Sequence, residues 1–218
     1  MRRLRSRLVL MMAFASVVIV TAQNPPAGAP PGGQPGGQPP AAPGGRGGRG
    51  GGRGVQVMTL ATSGWPDGGT IPAKYAQGGG EVSPALTWSN VPDGTASFAL
   101  IVHDQDAATG NGTDDLLHWM LWNIPADARS LPEGEPQGTQ LQDGTRQISA
   151  TGPFYRGPGA PASGPAHHYA FELFALDTML DVPAVGAPPA QTRAAVLAAM
   201  AGHVRGKAVY SGIFKRPQ

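Results

Sequence analysis

Alternating and continuous apolar residues divide the chain after residue 54 into short extended segments. Val55–Leu60 alternates between apolar and polar residues, which predicts a half-buried strand, and Ala85–Trp88 predicts another short one. Two more apolar segments, Ser97–His103 and His118–Ile124, predict neighbouring strands in the middle of a sheet. The segment between them, Ala107–Asp115, is rich in Gly, Asn and Asp and predicts a mobile loop.

The same reading continues to the C-terminus. Gln147–Ala150 predicts a short strand, and Tyr155–Pro165 predicts an irregular loop rich in Gly and Pro. His168–Leu176 predicts a strand covered on both faces, and Gly206–Phe214 predicts the last strand. Between these two strands, Pro189–Ala201 has the spacing of a helix.

The predicted helix completes the fold class. Gln191 and Thr192 are candidates for its N-terminal cap, and Val196, Leu197 and Met200 form its apolar stripe. Many strands, few helices and long loops together predict a mainly β protein, built as a β-sandwich with one or two peripheral helices.

Residues 1–22 differ from the rest and predict a secretory signal peptide. Four arginines precede an apolar run, Leu8–Val20, and Val20-Thr21-Ala22 fits a small-residue cleavage site. The apolar run is short for a membrane span, and an uncleaved N-terminal anchor is the alternative. Because the chain contains no cysteine, lipid attachment through cysteine is excluded. We expect an exported protein, periplasmic or extracellular.

Residues 23–54 predict a disordered tether, and residues 55–218 predict one folded domain. The tether is almost entirely Pro, Gly, Ala and Gln, with Arg46, Arg49 and Arg53 set among glycines. Such a composition cannot bury enough apolar surface to offset chain entropy. Its arginines would allow contact with an anionic envelope surface, and a plain solvated linker is the other interpretation.

The basic charge of the chain is concentrated before the predicted domain. The formal net charge is +2, yet all 14 acidic residues and only nine of the 16 basic residues follow Gly54. The predicted domain therefore has a net charge of −5 with its histidines neutral. A domain of that sign does not suit nucleic acid, so any anion that it binds must be held by a local site.

Four segments place polar groups at predicted strand ends or in loops: Asp104 and Asp106, His118, Tyr155–Gly157, and His167–Tyr169. Ionisable groups beside buried strands are costly unless they are paired, and a polar ligand would account for them. An imidazole can donate to a phosphate oxygen, and Asp104 can orient a histidine or accept from an ammonium group. The structural alternative makes the two acids turn-forming residues and His118 a hydrogen-bonded core histidine.

These segments, in this order, resemble the phosphatidylethanolamine-binding protein family, in particular its bacterial Raf kinase inhibitor-like branch. The matching stretches are Ser83–Trp88, Val91–Thr95, Ser97-Phe98, Asp104–Ala107, His118-Trp119, Asn123–Ala126, Leu131–Gly134, Tyr155–Gly157, His167–Tyr169 and Ala175–Asp177. The resemblance runs from about Trp65 to the C-terminus. It implies a β-sandwich of that family's type, with a small pocket for phosphate-like groups at one end.

By motif position, the resemblance implies a ligand-binding set with no catalytic residue, cofactor or metal ligand. This set is Asp104, Asp106, His118, Tyr155, Gly157, His167 and Tyr169. Three residues depart from the family's pattern. Gln105 stands where the family has a proline that often forms a cis peptide, Ala108 replaces a second proline, and His168 replaces an arginine. The last change removes a fixed bidentate charge.

The leading hypothesis is an exported, non-enzymatic binding protein for anionic or phosphorylated small ligands such as lipid head groups. One alternative is an interaction or inhibitor protein that acts on an envelope or extracellular partner through surface loops. Another is a metal-dependent hydrolase that uses Asp104, Asp106, His118 and His167, although no Gly-x-Ser-x-Gly or His-Glu-x-x-His motif is present. The sequence does not define the oligomeric state.

Overall fold

The structure is a computed structural model that describes residues 54–218. The predicted signal peptide, and the predicted tether except for Gly54, lie outside the described residues. In chain order the elements are β1 (Gln56–Val57), β2 (Thr59–Ala61), a 3-10 helix (Ala73–Tyr75), β3 (Leu86–Ser89), β4 (Ser97–Thr109), β5 (Asp114–Pro125), β6 (Ser130–Leu131), β7 (Arg146–Ile148), β8 (His167–Leu176), α1 (Pro189–Met200) and β9 (Val204–Phe214). None of the described helices is long and apolar enough to cross a membrane.

The strands form two sheets that pack as a sandwich, so the predicted fold class is confirmed. The large sheet has the order β1-β9-β8-β4-β5-β7, and the small sheet has the order β2-β3-β6. One face of the large sheet buries Leu100, Trp119 and Phe171 together with residues of the small sheet such as Trp88. The opposite face is covered by α1, and there Met120 and Val196 belong to a second apolar cluster.

Strand β4 is the centre of the large sheet, as its continuous apolar run predicts. It pairs in antiparallel fashion with β5 on one side and with β8 on the other. Every residue from Ser97 to Asp104 is buried, because both edges and both faces of this stretch are covered. The predicted strands in β5, β8 and β9 are confirmed in the same way.

Two boundaries differ from the prediction. Val55–Leu60 is not one strand: β1 pairs with β9 of the large sheet and β2 with β3 of the small sheet, and the buried Met58 lies between them. Ala107–Asp115 is not a loop throughout, since β4 extends to Thr109 and β5 begins at Asp114. Only residues 110–113 turn, because Gly110 and Gly112 adopt positive φ angles of 57° and 88°.

The helix begins where predicted, but its N-terminal cap differs from the prediction. Pro188 is its N-cap, Pro189 is its first residue and no side chain caps it, because proline has a helical φ and no N–H that requires a partner. The proposed cap at Gln191 and Thr192 is therefore wrong, and Thr192 is a buried helical residue. Leu197 is 43% exposed and lies outside the buried stripe.

Candidate functional site

The predicted site residues come mainly from neighbouring strands at one end of the large sheet. Asp104 of β4 lies opposite Leu116 of β5 on one side and opposite Tyr169 of β8 on the other. His167 begins β8 two residues earlier. These short separations across the ladders bring together side chains that are more than 60 residues apart in the chain, such as those of Asp104 and His167.

An irregularity in β5 decides where His118 points. Val102 pairs with Trp119 and His103 pairs with Leu117, so His118 is an extra residue on β5. In a regular strand His118 and Trp119 would face opposite sides, but an extra residue breaks that alternation. The His118 ring instead packs edge-to-face on Tyr169, with ring centroids 5.1 Å apart, on the side that also buries Trp119.

The loop after β7 holds His118 through its backbone. Nδ1 of His118 donates to the carbonyl oxygen of Arg156 at 2.9 Å, and the backbone N–H of Arg156 donates to the carbonyl oxygen of His118 at 3.0 Å. Nδ1 is the donor because a carbonyl oxygen can only accept. Nε2 of His118 is buried and has no hydrogen-bond partner among residues 54–218.

The surroundings keep the His118 ring neutral. Burial lowers the pKa of His118, and the positive charge of Arg156 acts in the same direction. The hydrogen bond to the Arg156 carbonyl and the charge of Asp104 oppose this shift without outweighing it. In the neutral ring with its proton on Nδ1, Nε2 is an acceptor. The expected donation from Nε2 of His118 to an anion would therefore require the protonated ring.

Asp104 orients a histidine, as proposed, but that histidine is His167. Its Oδ2 lies 2.8 Å from Nδ1 of His167, and its Oδ1 accepts the backbone N–H groups of Asp106 and Ala107 at 3.0 and 3.1 Å. Asp104 is 3% exposed, so these contacts satisfy a carboxylate that would otherwise be costly to bury. Little accepting capacity is left for an ammonium group.

Asp106 lies at the rim and pairs with the residue that replaces the family's arginine. Its Oδ2 accepts from the backbone N–H of His168 at 2.6 Å and lies 2.8 Å from Nδ1 of that histidine. These hydrogen bonds lower the pKa of Asp106. The intervening Gln105 is exposed, as is Ala108, and no peptide bond within residues 54–218 is cis. The departures from the family's pattern thus lie at the rim.

Tyr169 closes the site on the β8 side. Its hydroxyl oxygen accepts the backbone N–H groups of Gly159 and Ala160 at 3.2 and 3.1 Å. Burial raises the pKa of Tyr169 to about 12, the charge of Asp104 adds to this and the N–H of Gly159 opposes it. Tyr169 is therefore neutral, and its hydroxyl connects β8 to the loop that contains Gly159 and Ala160.

Tyr155 and Gly157 hold the loop against Tyr75. The Tyr155 hydroxyl donates to the carbonyl oxygen of Tyr75 at 3.0 Å, and its ring packs against Trp119. Burial raises the pKa of the Tyr155 hydroxyl. A Cβ at Gly157 would lie 2.4 Å from the Tyr75 carbonyl oxygen, so the loop can approach Tyr75 only with glycine here.

Arg156 lies beside His118 and is absent from the predicted site residues. Its charge acts on His118, and its Nε atom is buried without a hydrogen-bond partner in the described part of the chain. Arg156 therefore brings a positive charge near His118, and each of the two side chains has one buried nitrogen without a partner among residues 54–218. Its signal in the sequence is its position between Tyr155 and Gly157, as the one Lys or Arg between Arg146 and Arg193.

A second buried histidine, His103, faces the α1 side of the same sheet. Its Nδ1 is paired with Asp115, and its Nε2 lies 3.3 Å from Oε2 of Glu172. Arg193 of α1 pairs with Asp115, and Lys207 of β9 lies 2.6 Å from Glu172. Burial opposes protonation of His103, yet the two carboxylates outweigh it and raise the pKa of His103. The contact with His103 lowers the pKa of Glu172 to about 2.

This charged cluster borders a groove that is separate from the His118 site. The groove has a volume of about 750 Å³ and lies between the β4–β5 turn and the first turns of α1. Asp115 and Arg193 line it together with apolar side chains such as Leu117 and Leu197. No group of three or more His, Cys, Asp or Glu side chains within residues 54–218 is arranged to share a metal ion.

Comparison with known sequences gives matches over most of the described residues. A family model for phosphatidylethanolamine-binding protein matches residues 61–215. A UPF0098 protein of Methanothermobacter thermautotrophicus is 41% identical over 161 residues, which cover 73% of this chain and 99% of the relative. LppC of Mycobacterium tuberculosis, named as a candidate lipoprotein, is 34% identical over 158 residues, or 71% of this chain and 73% of LppC.

Solved structures give the same result. A phosphatidylethanolamine-binding protein homologue from Chlamydia trachomatis has a TM-score of 0.61 and 29% sequence identity, and the match covers 75% of this chain and 100% of the homologue. Escherichia coli YbcL, described as a member of the mammalian family of that name, has a TM-score of 0.60 and 28% identity. That match covers 73% of this chain and 99% of YbcL.

Proposed function

The chain belongs to the phosphatidylethanolamine-binding protein family, and we propose that it is an exported, non-enzymatic binding protein for anionic or phosphorylated small ligands. One observation carries the proposal. The buried Nε2 of His118 and the buried Nε of Arg156 have no hydrogen-bond partner within residues 54–218. Buried polar atoms are nearly always paired, and a bound ligand would supply the missing partners.

The neighbouring contacts suit such a ligand. Asp104, the nearest buried acid, already accepts three hydrogen bonds, so its charge is partly compensated. Arg156 provides a positive charge close to His118 in a domain whose net charge is negative. Because Nε2 is closed to solvent, binding requires a small displacement of the side chains over it.

Calorimetry with inorganic phosphate and phosphoethanolamine tests the proposal. We expect both to bind the intact protein, and His118→Ala to weaken phosphate at least about tenfold, the value of one hydrogen bond to a charged ligand. His203→Ala is the matched control, since His203 pairs with Asp177 beyond the opposite end of β8. Absence of binding, or equal weakening in both variants, would contradict the proposal.

The location is proposed on independent grounds. The basic and apolar start of the sequence suggests export, and LppC, a relative, is named as a candidate lipoprotein. This chain has no cysteine for such an anchor. N-terminal sequencing of the protein from the cell envelope should begin at Gln23. Intact Met1 on cytosolic protein would contradict export.

The interaction or inhibitor alternative has one observation in its favour. Met179 and Val185, which lie between β8 and α1, are 56% and 60% exposed. Apolar side chains exposed singly are common on protein surfaces, so this observation is weaker than the two unpaired nitrogens. If phosphate and phosphoethanolamine fail to bind, this loop is the surface to mutate first.

A further inference from the structure

We propose that the His118 site selects oxyanions that carry an O–H or N–H donor, such as inorganic phosphate and phosphoethanolamine, over oxyanions that carry none, such as sulfate. This inference rests on the proposed function and adds its chemical selectivity. The position of a single proton on the His118 ring determines this selectivity. Nδ1 of His118 lies 2.9 Å from the Arg156 carbonyl oxygen, and that oxygen has no proton to share.

The other ring nitrogen of His118, Nε2, is left as an acceptor. A neutral imidazole with its proton on Nδ1 has only a lone pair on Nε2. His118 is 1% exposed, and its Nε2 has no partner among the described residues. A ligand atom that reaches Nε2 must therefore donate. Hydrogen phosphate has an O–H group for this purpose, while sulfate would bring an oxygen lone pair against the nitrogen lone pair.

The groups around His118 favour the neutral ring with its proton on Nδ1. The ionisable groups near His118 are Asp104 from β4, Arg156 from the loop and Tyr169 from β8, and His167 lies behind Asp104. The negative charge of Asp104 is turned toward His167 and the 106–107 backbone. Arg156 disfavours a second positive charge on the ring, and Tyr169 is neutral.

Arg156 and His118 have different effects on a bound oxyanion. Arg156 attracts any oxyanion, because it is positively charged and its buried Nε has no acceptor among residues 54–218. Nε2 of His118 then discriminates between oxyanions, since a buried acceptor left without a donor costs free energy. Sites built to bind a ligand hydroxyl reject analogues that lack it far more strongly than sites that recognise shape alone.

Phosphate and sulfate are a matched pair for the experiment. At about pH 8 both are tetrahedral dianions of similar size, and only phosphate retains a proton. We expect calorimetry on the intact protein to show phosphate binding at least tenfold more tightly than sulfate. The preference should shrink under acidic conditions, where the protonated ring can donate to either anion.

His118→Gln distinguishes selection from a structural role. The glutamine amide can donate to both anions, so the variant should bind them with nearly equal affinity. His203→Gln, remote from the site, should keep the wild-type preference. Equal wild-type affinities for phosphate and sulfate at about pH 8 would overturn this inference and leave the proposed function intact. Failure of both anions to bind would overturn both.

Discussion

The two buried histidines of the large sheet, His103 and His118, have similar burial and opposite titration behaviour. They are 8% and 1% exposed, and they lie next to each other across the β4–β5 ladder but on opposite faces. His103 sits between two carboxylates and its pKa is raised, whereas His118 donates to a backbone carbonyl and its pKa is lowered. Burial disfavours the charged ring in both, so the partners determine the protonation state.

The difference separates a cluster that is paired within the protein from the site that we propose for ligand binding. The charge of His103 is used within the protein, where Glu172 and Asp115 compensate it and Arg193 and Lys207 complete the cluster. His118 has one nitrogen committed to the loop and one left over. A buried group that is fully paired contributes to stability, while one that is half paired is available for a ligand.

Removing a carboxylate from His103 should give the largest effect on stability. Glu172→Gln leaves His103 and Lys207 without their shared partner, and breaking a buried pair is costly, so we expect a loss of about 2–3 kcal/mol near neutral pH. Because the folded pKa of Glu172 is about 2, its contribution is present above about pH 4.5 and is lost as the pH falls through the folded value.

Urea unfolding of the wild-type protein and of Glu172→Gln at neutral and acid pH measures this loss of stability. Glu135→Gln is the matched control, since burial raises the pKa of Glu135 and no cation pairs with it among the described residues. We expect it to be neutral or stabilising. An equal loss in both variants would show that the His103 cluster contributes no specific stability.

Displacing the loop should change the surroundings of His118 and leave those of His103 unchanged. A Cβ at position 157 meets the Tyr75 carbonyl at 2.4 Å, so Gly157→Ala should cost about 1–3 kcal/mol and move the neighbouring Arg156 carbonyl. The imidazole ¹⁵N signals of His118 should then change while those of His103 stay. Gly164→Ala, where a Cβ has no neighbour within 4 Å, should change neither.

The main strands could be predicted from sequence, and the special position of His118 could not. Apolar runs and alternation identified β4, β5, β8 and β9, because a covered strand excludes polar residues from its middle. The extra residue in β5 is visible only when Val102 is paired with Trp119 and His103 with Leu117. A period of two read along one strand contains no information about the register of its neighbour.

The same limit explains the unequal outcome for the two histidines. Motif matches around His118 predict it as a site residue, whereas the sequence predicts His103 only as the end of an apolar strand. The partners of His103 come from three other elements, with Asp115 in β5, Glu172 in β8 and Arg193 in α1. Only the folded arrangement brings these charges together, so composition and spacing could not reveal the cluster.

The pH dependence of stability should differ in sign between the two histidines. The folded pKa of His103 is raised, so its contribution is full below about pH 6.5 and is lost as the pH rises through the folded value. The folded pKa of His118 is lowered, so its contribution is full above about pH 6.5 and is lost as the pH falls toward the folded value.

Variants at each histidine isolate these opposite slopes. His103→Gln should remove the decline on the alkaline side, and His118→Gln should remove the decline on the acid side, between about pH 5 and pH 8. Urea unfolding across this range gives both slopes. If both variants flatten the same side, the protonation states inferred from the hydrogen bonds are wrong.

The smallest effect should come from the pair of His168 and Asp106 at the rim of the site. His168 and Asp106 have side chains that are 63% and 42% exposed, and exposed pairs contribute about 0–1 kcal/mol. Asp106→Asn should therefore leave stability nearly unchanged, while removing one negative charge beside the site should tighten phosphate binding a few-fold at low salt. The gain should vanish at high salt, where exposed charges are screened.

Asp181→Asn, an exposed acid outside the site, is the control. A large loss of phosphate affinity in Asp106→Asn would instead show that Asp106 holds the ligand, and that the binding group lies at the rim and not at the buried Nε2 of His118.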